Sequence, residues 1–204
     1  MRLANKHIIQ GEIIVKTGMH IGGMKETFQI GGSDSPVIKT KKGIPYIPGS
    51  SLKGKIRSLL ERKKGIASSH PCDCGICEIC ILFGCHSSKN SQRSGVLIFR
   101  DGHTNEEDAK KLLETKAENI IDRIRGTAEH PRFIERVVPG TKFRIEIIYN
   151  QFEGDDAKEL LKTLKKGFEL LEQDYLGGSG TRGYGKIDVS AITGDINSKI
   201  NEIQ

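Results

Sequence analysis

The sequence predicts an α+β fold, an antiparallel sheet with helices on one face, from two amphipathic stripes and one order of elements. Leu52, Ile56, Leu59 and Leu60 stand at i, i+4, i+7 and i+8, an apolar helical stripe over 52–64. Leu160, Leu161, Leu164, Phe168 and Leu171 form a second stripe over 155–171. With four strand-like runs around them, the order is β–α–β–β–α–β. That is the split βαβ arrangement called ferredoxin-like.

Each element has its own signal. Residues 8–16 are β-rich and semi-alternating, a first strand. Residues 17–36 hold no helical period and end in a Gly-Gly-Ser-Asp-Ser-Pro cluster, a long loop of the kind that is usually functional or disordered. Residues 37–47 read as a small hairpin around Lys41-Lys42-Gly43, and Pro48-Gly-Ser-Ser51 as the turn and N-cap of the first helix. Residues 96–100 and 141–149 are the next strands, the latter placing Phe143, Ile145 and Ile147 on one face. Residues 186–192 close as a fourth strand. Two insertions decorate a single domain over 1–204: one about 65–95, the other about 102–138 with a helical piece at 106–113.

Composition narrows the class. Residues 1–65 carry 13 Lys and Arg against 4 Asp and Glu, whereas the rest carries 19 against 22. A basic third on a nearly balanced remainder points to a polyanion surface. With 7 Phe, 4 Tyr and no Trp, the chain lacks an extended base-stacking platform, so a nucleic acid would be held by its backbone. No run approaches the roughly 20 apolar residues that span a bilayer. The N-terminus has no apolar signal core, so the cytoplasm is the expected compartment and no membrane partner is expected.

Five of the nine residues of Gly177-Gly-Ser-Gly-Thr-Arg-Gly-Tyr-Gly185 are glycine. The run follows a helix and precedes a strand, the reverse of a Walker loop, and reads as a flexible turn or a phosphate cradle. Ser50, Ser51 and Lys53 at a helix start make a second phosphate candidate, with Arg57 on the adjoining face; a solvated basic face is the plainer reading.

All five cysteines lie in 72–85. Clustered cysteine in a chain without a secretory signal points to metal, and Cys77-x-x-Cys80 has knuckle spacing. The expected site is one structural Zn²⁺ on Cys77, Cys80 and Cys72, with His70 or Cys74 as fourth ligand. No position is left for substrate, so the ion staples a loop. Among carboxylates, Asp34 stands alone in a Gly/Ser/Pro turn. It reads either as an Asx-turn residue or as a carboxylate that binds a divalent ion or takes a proton beside a phosphate. His20, in Met19-His-Ile-Gly-Gly23, is a loop histidine or an acid–base group.

Four motifs together resemble the backbone subunit of type III-A CRISPR effectors (Csm complexes), in the RAMP superfamily. They are Gly18-Met-His-Ile-Gly-Gly23 with Gly31-Gly-Ser-Asp34, and Ile47-Pro-Gly-Ser-Ser-Leu-Lys-Gly-Lys55. The third is Glu118-Asn-Ile-Ile-Asp-Arg123 with Pro131-Arg and Glu135-Arg-Val-Val-Pro-Gly140, and the fourth is the glycine run through Lys186. The resemblance implies an RRM-like core with a lid and a thumb, and copies stacked in a helical filament on a CRISPR RNA beside other Csm subunits. It implies cleavage of target RNA at regular intervals by an aspartate with a divalent metal, Mg²⁺ or Mn²⁺. On this reading Asp34 is catalytic. RNA is held by His20, Lys53, Gly178, Gly180 and Arg182, and by Arg123, Arg132 and Arg136 of a thumb at 118–138. The rival readings are a structural RNA-binding subunit without catalysis and a ribonuclease that processes the guide precursor.

Overall fold

The computed structural model describes residues 2–23, 33–66, 70–85 and 94–203. Its main sheet has four strands in the order β2-β5-β1-β6: β1 (Leu3–Val15), β2 (Leu97–Phe99), β5 (Lys142–Phe152) and β6 (Ile187–Asp188). Every neighbouring pair is antiparallel. The strands alternate, so one face of β1 carries Ile9, Gly11, Ile13 and Val15. Opposite them β5 places Ile147, Ile145 and Phe143. This face is buried by the long helices α1 (Gly49–Lys63), α4 (Ala157–Gln173) and α5 (Ser190–Glu202), whose apolar residues join the strands in one core. The other face keeps Ile8 half exposed and crosses polar pairs such as Gln10 and Glu146.

Both predicted helices form, and their stripes are buried: Leu52, Ile56 and Leu60 on α1, Leu160, Leu161, Leu164, Phe168 and Leu171 on α4. Burying such side chains stabilises by about 1.5–3 kcal/mol each. The predicted fourth strand is corrected. Only Ile187 and Asp188 pair with β1, and from Ser190 the chain is helical. Ile192 and Ile196 are fully buried one turn apart, with Ile200 packed on the core a turn later. The stretch is rich in β-branched residues and contains Gly194, so its local propensity favours strand. Packing overrides it. Gly11 makes room for this helix, since a Cβ there would meet the Ile192 backbone nitrogen at 2.8 Å.

The first helix starts differently from the serine-capped turn that the sequence predicts. Its N-cap is Pro48 and no side chain of 48–51 caps it; Asp101, just past β2, accepts from the Gly49 N–H at 2.8 Å. The helical piece at 106–113 shrinks to α3 (Ala109–Leu112), capped by Asp108. The rest of that insertion is a two-stranded ribbon, β3 (Leu113–Ile121) and β4 (Ala128–Val137). Its base is pinned to the core where Val137 bridges Met19. Its tip is closed by Asp122, whose Oδ1 accepts from the N–H groups of Ile124 and Arg125. The predicted hairpin at 37–47 appears as a Lys39–Pro45 bridge with Gly43 at φ 78°. In the cysteine-rich segment, α2 (Glu78–Phe83) buries Ile79, Leu82 and Phe83 in the core. Among the described residues, no helix is long and apolar enough to cross a membrane.

Candidate functional site

Asp34 and His20, 14 residues apart in sequence, are fixed by the same strand of the ribbon. Asp34 is exposed, and its Oδ2 accepts from the Phe133 N–H at 2.8 Å. Its loop runs beside β4 as an extra rung: Ser35 bridges Ile134, Glu135 N–H donates to the Ser35 carbonyl, and Ser33 Oγ donates to the Phe133 carbonyl at 2.7 Å. His20 Nδ1 lies 2.8 Å from the Glu135 carbonyl oxygen. A carbonyl only accepts, so Nδ1 carries a proton, and Nε2 has no partner among the described residues. The Glu135 carboxylate then holds the far end of the Asp34 loop, accepting from Val37 N–H at 2.9 Å and Lys39 Nζ at 2.8 Å. Glu135 therefore holds His20 by its carbonyl and the chain just past Asp34 by its side chain, while Asp34 itself is held two residues earlier on the same strand, at Phe133.

The glycine run packs against this segment from the other side. Gly178 N–H donates to the His20 carbonyl and Gly185 N–H to the Gly18 carbonyl. Gly177 has φ +90°, and any side chain there would strike the His20 carbonyl oxygen. These glycines permit a close approach of two backbones. Gly180 is demanded by the ring of Tyr175, which a Cβ would overlap. The run is thus a support for the His20 segment, with at least two N–H groups already engaged.

The candidate cations divide into two groups that charge counting could not separate. Arg182 pairs with Glu118 on β3 at 3.2 Å, Arg136 with Glu114 at 2.6 Å, and Arg57 with Glu61 at 2.8 Å. Glu118 also accepts from Tyr184 Oη at 2.5 Å, and Lys116 and Arg136 lie over the Tyr184 ring. The Tyr184 hydrogen bond, before the nearby cations, pulls the Glu118 carboxyl below its usual range. Lys53, Arg123 and Arg132, by contrast, have no carboxylate partner among the described residues. Arg123 and Arg132 are exposed on the ribbon. Lys53 is partly covered, and burial first, then Arg57, lowers its pKa. Ser50 is exposed and Ser51 partly so at the start of α1.

The cysteines converge. Sγ atoms of Cys72, Cys74, Cys77 and Cys80 all lie within 4.8 Å of one another, with Cys72–Cys77 at 3.9 Å and Cys74–Cys80 at 3.8 Å. A tetrahedral ion with metal–sulfur bonds of about 2.3 Å has sulfur–sulfur edges of about 3.8 Å. The four thiols fit such an ion, and the fourth member is Cys74; His70 does not join the group, and His86 lies outside the described residues. Cys74 Sγ accepts from the Cys77 N–H and Cys77 Sγ from the Cys80 N–H. Donation from the Ile76 and Cys77 N–H groups lowers the exposed Cys74 thiol to about 6, while burial raises Cys77 and Cys80. The cluster can bind a metal.

The RAMP superfamily model matches residues 12–188. A Methanocaldococcus jannaschii protein named CRISPR system Cms endoribonuclease Csm3 is 52% identical over 198 residues, 92% of this chain and 79% of the relative. The chain belongs to the Csm3 family of RAMP proteins. Another Csm3, from Enterococcus italicus, is 42% identical over 93% of the chain and 94% of its own length. Among solved structures, the Csm3–Csm4 subcomplex of a type III-A interference complex superposes with TM-score 0.68 at 36% identity, covering 100% of this chain and 99% of that one. A chain of the type III-B Cmr-beta complex bound to cognate target RNA matches at TM-score 0.64 and 21% identity over 90% of this chain and 58% of that one, which shows the shared fold.

Three carboxylates of this Csm3-family chain carry contacts that the sequence motifs do not assign: Glu135, Glu118 and Asp101. Glu118 and Glu135 stand in the quoted motifs without a role, and their partners His20, Tyr184 and Arg182 lie more than 60 residues away.

Proposed function

We propose that this chain is the guide-RNA-binding backbone subunit of a type III-A CRISPR interference complex, and that it cleaves complementary target RNA at regular intervals. The observation that carries the catalytic assignment is Asp34: exposed, with Oδ2 fixed by the Phe133 N–H and Oδ1 unengaged among the described residues. A carboxylate held by one oxygen presents the other in a constant direction, as a metal ligand or proton acceptor needs.

A divalent cation, Mg²⁺ or Mn²⁺, would supply charge neutralisation at the scissile phosphate. The protein offers it one open carboxylate oxygen, because Glu135 is already engaged by Val37 and Lys39. Such a cation would take its other ligands from RNA and water. His20 is oriented toward the RNA as a positioning or hydrogen-bonding group. Of the candidate RNA-binding cations, Lys53, Arg123 and Arg132 have no carboxylate partner among the described residues and are free to meet phosphate. Ser50, Ser51, Gly178, Gly180, Arg136 and Arg182 line the same path, and the two arginines must exchange their glutamates for phosphate to take part.

The strand order β2-β5-β1-β6 with helices on one face supports a ferredoxin-like, RRM-like core in one domain over 1–204. The ribbon is the thumb, within about 102–138, and the four-cysteine segment a zinc-stapled lid, within about 65–95. Copies stack as a filament with other Csm subunits in the cytoplasm. The rival processing ribonuclease predicts metal-independent cleavage by the isolated chain that is lost in His20→Ala. The proposal predicts a copurifying repeat-derived RNA, and evenly spaced target fragments that need the assembled complex and vanish on chelation. Metal-independent cutting by the isolated chain would contradict it.

A further inference from the structure

Cys72 is the first cysteine of the cluster along the chain and lies outside its Cys74-x-x-Cys77 and Cys77-x-x-Cys80 turns, yet both its backbone groups are held by α1. Glu61 and Arg57, one turn apart on α1, grip both ends of its peptide environment. Glu61 Oε1 accepts from the Cys72 N–H at 2.9 Å, and Arg57 Nη2 donates to the Cys72 carbonyl at 2.6 Å. The two side chains are joined to each other at 2.8 Å and are only 12–15% exposed. The same Cys72 carbonyl accepts from Cys80 Sγ at 3.2 Å. Burying an ion pair is costly unless its remaining hydrogen-bonding capacity is used, and here it is used on one cysteine. A second tie runs from the end of the helix to the start of α2, Lys64 Nζ to Glu78 Oε2 at 2.6 Å.

We propose that Arg57 and Glu61 form an outer clamp that presets Cys72 and so sets the metal affinity of the four-cysteine cluster, coupling the lid to α1. This rests on reading the cluster as a metal site. Arg57, which the sequence places among the RNA contacts, is on this account a positioning residue for the metal. Outer partners that orient a ligand are typically worth about 10–100-fold in metal affinity.

The test is titration of the full-length apo chain with Co²⁺, following the visible bands of a tetrahedral thiolate site, with Zn²⁺ competition. Glu61→Ala should weaken binding by about 10–100-fold. Glu61→Gln should recover most of the loss, because its amide oxygen still accepts from the Cys72 N–H. Arg57→Lys keeps the charge and lacks the fork that reaches the Cys72 carbonyl, so it should fall between. Equal affinities for wild type and a folded Glu61→Ala, checked by circular dichroism, would overturn the clamp. If Glu61→Ala does not fold, Arg57→Lys decides: unchanged affinity overturns the proposal and a loss supports it. A wild-type chain that gives no tetrahedral cobalt spectrum would instead overturn the metal reading beneath it.

Discussion

The candidate side chains Asp34 and His20 are placed by backbone groups far away in sequence, whereas Asp188 is held by its near neighbours. Its carboxylate accepts from the Ser190 N–H and Oγ and pairs with Lys16, which depresses its pKa to about 2, the backbone bond being the largest cause. A depressed carboxyl stabilises the fold above its unfolded pKa of about 3.9 and loses that contribution as pH falls toward 2. Asp188→Asn should therefore cost about 1 kcal/mol near neutral pH, the difference between hydrogen bonds to a charged and to a neutral acceptor, and the difference from wild type should close in melts taken progressively between about pH 4 and pH 2. Lys53 makes the complementary case on the binding side. It has no carboxylate partner among the described residues, and a lysine that neutralises a phosphate displaces a counterion from the RNA, so Lys53→Met should flatten the slope of log affinity against log salt for guide RNA by about 0.7. An unchanged slope would remove Lys53 from the interface.

At the level of elements, the best-read parts are those whose apolar period is long and undisturbed. Helices α1 and α4 and the central strands β1 and β5 follow from stripes such as Leu160, Leu164, Phe168 and Leu171, because burial alone decides them. Helix α5 and the ribbon were illegible for physical reasons. The α5 stretch has strand-like propensity and becomes helical only because Ile192 and Ile196 find a bed over Gly11. The ribbon is a two-stranded sheet with few buried residues, and its pairing bulges near Glu118 and Ile120, so no clean alternation marks it. Gly11→Ala tests the helix–sheet contact. The added Cβ meets backbone atoms of Ile192, which cannot rotate away, and the substitution should cost about 1–3 kcal/mol in chemical denaturation. No loss of stability would mean that α5 does not lie on β1 as described.

For the whole molecule, the candidate site is assembled from three remote stretches: the 18–20 segment, the loop around Asp34, and β4 of the ribbon, with the glycine run behind. Its members were legible as residues, since Asp34, His20, the glycine run and the ribbon arginines each sit in an identifiable motif. The anchoring of Asp34 and His20 on one strand, at Phe133 and Glu135, was not, because contacts spanning 99 and 115 residues leave no local pattern. The same limit hid which arginines are paired, and it left His70 and Cys74 undecided until the fold brought four sulfurs together. The arrangement also couples Asp34 to the ribbon: whatever displaces β4 displaces the Phe133 N–H that fixes it. The most direct test of the account is target-RNA cleavage by the assembled complex carrying Asp34→Ala, measured beside target binding by the same preparation. The account predicts cleavage reduced by at least about 100-fold with binding affinity unchanged, as expected when a positioned catalytic group is removed. Undiminished cleavage at the same intervals would contradict it.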